Sequence, residues 1–141
     1  MKQNITPQQL EELTQKQKEK LREWWKPEYG DQYQAEGSLG GEYLVTRFEE
    51  DKSGYQQITC ESADMDGAYD GHDKKNVLPL LSIGQMIEFL FENNAFIFAY
   101  DTEGAWLEKS QNIVLYWGWE NKENNKPELC DALWSAVKEV K

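Results

Sequence analysis

Residues 42–60 read EYLVTRF (Glu42–Phe48), EEDKSG (Glu49–Gly54) and YQQITC (Tyr55–Cys60). Two runs rich in β-branched and aromatic residues flank a polar hexapeptide of turn formers. That pattern predicts a β-hairpin with a longer loop, and hence an antiparallel sheet. Upstream, Gly37–Gly41 holds three glycines in five residues and reads as a loop or sharp bend. Downstream, Glu61–Lys75 lacks periodicity and carries seven charged residues, so a long acidic loop is expected there.

Residues 1–27 read as a helical arm. Thr6-Pro7-Gln8-Gln9 and Thr14-Gln15-Lys16-Gln17 both have the capping-box pattern, predicting either short helices at 7–13 and 15–25 or one helix that runs through Thr14 with a bend. Leu10, Leu13, Leu21 and the Trp24-Trp25 pair would anchor this arm, because Gln15–Lys20 is polar all round. Lys26-Pro27 would end it.

Past the acidic stretch, Ser82-Ile83-Gly84-Gln85 opens a helix to about Glu92, with Ile83, Met86, Ile87, Leu90 and Phe91 on its apolar face. Asn93-Asn94 offers a left-handed terminus. Ala95–Tyr100 and Ile113–Trp119 read as buried strands, with Trp106–Glu108 pairing between them. A last helix runs from Pro127 to about Val140, with Leu129, Leu133, Val137 and Val140 on one face and Trp134 beside it. The expectation is an α+β protein: an antiparallel sheet of about four or five strands, two packed helices and the N-terminal arm. Residues 28–141 would form one domain beyond that arm.

Charge limits the function. Glu28–Asp73 holds twelve acidic and two basic residues, so this block carries −10 of the net −11. Such a field repels phosphate and anionic lipid and favours cationic partners. Nucleic-acid binding is therefore not expected, although Trp24, Trp25, Trp106, Trp117 and Trp119 would otherwise suggest a stacking platform. The longest apolar run, Ala95–Tyr100, is far short of a membrane span. Two cysteines 70 residues apart, Cys60 and Cys130, form no disulfide framework and read as buried free thiols. With no apolar leader, the chain reads as cytoplasmic.

No catalytic signature stands out. His72, the one histidine, is flanked by Asp70 and Asp73 but has no nucleophile near it in sequence. One histidine and two distant cysteines also fall short of the usual zinc ligand sets. Asp64, Asp66, Asp70 and Asp73 are weak Ca²⁺ candidates. The EF-hand register fails, because starting at Asp64 puts Tyr69 at the glycine position and Lys75 at position twelve, and starting at Asp66 puts Val77 there. No cofactor and no enzymatic activity are expected.

Three islands carry a resemblance: TPQQLEELTQKQKEKLREWWKPEYGD from Thr6, LPLLSIGQMIEFL from Leu78 and ELCDALWSAVKEV from Glu128. They resemble small proteins encoded by phages and prophages of Firmicutes. The islands contain no catalytic motif, so the resemblance implies a genomic setting and a host-cell cytoplasm, without residue roles. The expected function is a non-enzymatic acidic interaction protein that binds, and thereby inhibits, a host protein with a basic surface; a phage protein is the other partner class. Its contact residues would be Glu42, Glu49, Glu50, Asp51, Glu61, Asp64, Asp66, Asp70 and Asp73, with Trp24 and Trp25 as an aromatic face. The alternative is a Ca²⁺ or small-molecule binder using residues 61–73.

Overall fold

The computed structural model describes residues 2–35, 42–62, 69–93, 96–101, 104–109, 114–117 and 129–140. The fold is α+β, with two compact units: Thr6–Leu81, and Met1–Ile5 together with Ser82–Lys141.

The first unit begins with α1 (Pro7–Leu10) and α2 (Gln15–Trp24), each opened by the expected capping box. Thr6 Oγ1 accepts from Gln9 N at 3.3 Å while Gln9 Oε1 accepts from Thr6 N at 3.0 Å. Thr14 and Gln17 repeat the exchange at 3.2 and 2.9 Å. These bonds satisfy amides that a helix start leaves without intrahelical partners. Trp25 is already extended (ψ 124°), so α2 ends at Trp24, one residue short of the expected 15–25 and ahead of Lys26-Pro27. Leu10, Leu13, Leu21 and Trp25 are all buried.

Five antiparallel strands follow: β1 (Gln32–Ala35), β2 (Glu42–Glu50), β3 (Gln56–Ser62), β4 (Tyr69–Asp73) and β5 (Val77–Pro79), in the order β4-β3-β2-β1-β5. The β2–β3 hairpin is the one expected. Residues 69–73, however, are a strand and not part of an acidic loop, and a 3₁₀ turn at Lys74–Asn76 follows directly. The sequence YDGHD has no apolar alternation to mark it. It pairs through the backbone along Gln57–Glu61 at the sheet edge, where one flank needs no partner. One sheet face holds Tyr33, Ala35, Val45, Ile58, Cys60 and Val77, packed with Trp25 into a core that Trp24, Tyr43 and Phe48 border.

In the second unit, α3 (Ile83–Glu92) starts at the Ser82–Gln85 capping box and packs against α4 (Leu129–Val137). Strands β6 (Phe96–Asp101), β7 (Gly104–Lys109) and β8 (Val114–Trp117) form a separate antiparallel sheet with β7 central. Two details differ from the sequence expectation. Phe89 is buried with Met86 and Leu90 while Phe91 is 55% exposed, so the apolar stripe of α3 is rotated toward the 86/89/90 positions. Asn93 is not left-handed (φ −91°, ψ 6°), and its Nδ2 donates to Phe89 O at 2.8 Å, whereas Asn94, the other half of that expectation, lies outside the described residues. The first residues belong to this unit: Asn4 bridges Ser82, Gln3 O accepts from Ile83 N at 3.0 Å, and Lys2 pairs with Asp131 at 2.8 Å. No helix among the described residues is long and apolar enough to cross a membrane.

Candidate functional site

Strand alternation sorts the acidic residues. The core takes Val45, Ile58 and Cys60, so the residues between them face the other way. The register then sets out the rows of that second face: Gln34 opposite Glu42, Leu44 opposite Glu61, Arg47 opposite Thr59 and Gly71, and Glu49 opposite Gln57 and Asp73. A bulge between Val45 and Arg47 keeps this alternation in phase along β2, and Thr46 Oγ1 donates to Thr59 O at 3.1 Å beside it. Glu42, Glu49, Glu61 and Asp73 thus share one polar sheet face. Its one cation among the described strand residues is Arg47, which is ion-paired to Glu49. Asp73 is partly committed, since its carboxylate accepts from Lys75 N at 3.0 Å to start the 3₁₀ turn.

Glu50 and Asp51 lie at the exposed hairpin tip, and each has a second task. Glu50 and Glu23 supply negative potential to Lys74, the one buried charged side chain among the described residues. Burial, then the Arg22 guanidinium, holds the Lys74 amine below its ordinary value, and those two carboxylates pull the other way. Asp51 organises the turn: Oδ1 accepts from Ser53 N at 2.8 Å and Tyr55 N at 3.1 Å, and from the Ser53 hydroxyl. Gly54 closes the turn at φ +87°, a conformation that favours glycine.

The Ser53 hydroxyl, followed by the Ser53 and Tyr55 amides, lowers the Asp51 carboxyl below the usual carboxylate range. A depressed folded-state value means its support for the turn is present above about pH 4, the ordinary carboxylate value, and fades as acid titrates the folded form below that. Asp51→Ala should therefore speed amide exchange at Ser53 and Tyr55 while leaving the Gln57–Glu61 ladder protected. Unchanged exchange at the tip would show that Gly54 and the ladder suffice to hold the turn.

Asp64 and Asp66 lie outside the described residues. Asp70 stands opposite Cys60 in register. Among the described residues, no three His, Cys, Asp or Glu side chains converge to hold a metal. Trp25 is 1% exposed and belongs to the core, so it leaves the aromatic surface; Trp24 is half-buried against the same cluster. Among the residues of this unit whose burial is described, the exposed aromatics are Tyr29 (85%) and Tyr55 (44%).

Two features had no local signal in the sequence. Asp31 Oδ2 accepts from the Trp25 indole at 2.9 Å and from Glu28 N at 3.1 Å, and its backbone pairs with Val45. Gly30, at φ +88°, makes the turn that brings it there. His72 is the centre of the other. Its Nδ1 lies 2.8 Å from the Tyr33 hydroxyl and 3.6 Å from Cys60 Sγ, and the Tyr43 ring lies tilted against it with 4.7 Å between ring centroids.

Fold and site define an α+β protein with an acidic sheet face. Comparison with protein-family models, curated proteins and solved structures yields no match to this chain.

Proposed function

We propose that this chain is a non-enzymatic, phage-encoded interaction protein whose acidic sheet face and hairpin tip engage, and thereby inhibit, a host protein with a basic surface. One observation carries the reading: the strand register gathers Glu42, Glu49, Glu61 and Asp73, distant in sequence, onto a single face. Carboxylates scattered round a molecule produce general solubility. Gathered on one face, they produce a directional field that steers a cationic partner. The phage setting rests on the three sequence islands alone.

The test is affinity capture from host lysate, followed by binding measured from about 0.05 to about 0.5 M salt, over which screening shortens from beyond 10 Å to a few ångströms. A captured protein with a basic surface, whose affinity falls steeply across that range, is expected. Binding indifferent to salt would remove the charge-based reading.

A further inference from the structure

The acidic sheet face has an apolar residue among its carboxylates. Leu44 on β2 stands between Gln32 of β1 and Glu61 of β3 in register, and Glu42 lies two residues away on the same face. Leu44, Glu42 and Glu61 are all half-buried. Neither of these two carboxylates has an ion pair or hydrogen-bond partner among the described residues. The other end of the face is occupied differently, because there the Arg47 guanidinium is ion-paired to Glu49.

This arrangement selects among cations. Directly opposite residues on neighbouring strands have Cβ atoms about 5 Å apart and diagonal ones about 7–8 Å, so both glutamates can reach one point above Leu44. An ammonium is a compact, strongly hydrated point charge and gains little from an apolar floor. A guanidinium is planar and weakly hydrated, and its fork of N–H donors can bond two carboxylates together. The methylene stem of an arginine would lie on Leu44 and keep water from those bonds. An apolar centre inside a polar rim is also the usual anatomy of a binding surface, and arginine is among the residues that dominate its energy. Arg47 against Glu49 is the same pairing made within the chain.

We propose that Leu44, Glu42 and Glu61 form the seat for one arginine side chain of the partner, with Leu44 as the residue that sets the preference for arginine over lysine. The inference rests on the acidic-face reading and narrows it: the partner presents an arginine at the contact centre as well as a positive field around it. Glu49, already paired with Arg47, contributes to the field and not to the seat. A second copy of this chain is not the occupant, because a formal charge of −11 on each copy opposes self-association.

The probes are hexa-arginine and hexa-lysine, which carry equal charge, titrated into the full chain at about 0.05 M salt and followed by calorimetry and by nuclear magnetic resonance. Hexa-arginine should bind roughly tenfold more tightly than hexa-lysine and shift the Leu44 methyls together with the Glu42 and Glu61 amides. Leu44→Ala leaves the charge unchanged and should remove most of that preference, while the affinity for hexa-lysine stays nearly constant. Glu61→Gln should weaken hexa-arginine severalfold more than hexa-lysine. Leu44 is half-buried, so amide exchange along the β2–β3 ladder would confirm that its variant folds, and the comparison of the two peptides on wild type decides the matter without any variant. Equal affinity for both peptides, or shifts centred away from Leu44, overturns the arginine seat and leaves the acidic face as a steering surface. Binding of neither peptide at low salt overturns the seat and the acidic-face reading together.

Discussion

Trp25→Ala should destabilise the Thr6–Leu81 unit by roughly 3–5 kcal/mol, the usual range for truncating a buried tryptophan. That is a large share of the stability of a domain this size. The indole is 1% exposed, sits 6.0 Å from the Tyr33 ring centre, and donates its N–H to Asp31. Removing it opens a cavity above β1 and takes one partner from the Asp31 carboxylate, which also holds the Glu28 amide. Trp24→Ala should cost less, about 1–2 kcal/mol, because that ring is only partly buried. Urea unfolding monitored by far-ultraviolet circular dichroism would measure both. Hydrogen exchange across Gln15–Trp24 should rise sharply in the Trp25 variant alone. Equal shifts in the two variants would mean that Trp25 does not anchor α2.

Replacing Glu42, Glu49 and Glu61 with lysine should slow association with the captured partner by roughly ten- to a hundredfold at low salt and change its dissociation little, the behaviour expected of steering charges. The three changes move the formal charge from −11 to −5. Glu50 and Asp51 are best left alone, since Glu50 offsets the buried Lys74 and Asp51 builds the turn. Stopped-flow association across a salt series is the measurement. The variant and wild-type rates should converge as salt rises; a difference that persists at high salt, or none at low salt, would place the contact surface elsewhere.

Parts of this protein were legible residue by residue. The capping boxes at Thr6, Thr14 and Ser82 appear where Thr-x-x-Gln and Ser-x-x-Gln occur, because each exchanges hydrogen bonds within four residues. The β2–β3 hairpin was equally local, its turn chemistry lying between two strand-forming runs. The acidic residues could be identified from composition, but their division between the sheet face, the hairpin tip and the turn could not. That division follows from the bulge after Val45 and from pairing with β4, an edge strand too polar to show the alternation that marks a half-buried strand.

Charge, capping and hairpin chemistry, all acting over a few residues, were determined by the sequence alone. Only the tertiary structure decided which tryptophan is core, where Asp31 directs its carboxylate, and that His72 has Cys60 and Tyr33 beside it. Those outcomes depend on cross-strand register, in which a one-residue slip would turn each side chain to the opposite face. Register is settled by the summed packing of Trp25, Tyr33, Val45, Ile58 and Val77. No short window of sequence contains that sum, so the meeting of thiol, imidazole and phenol exists only once the sheet has closed around it.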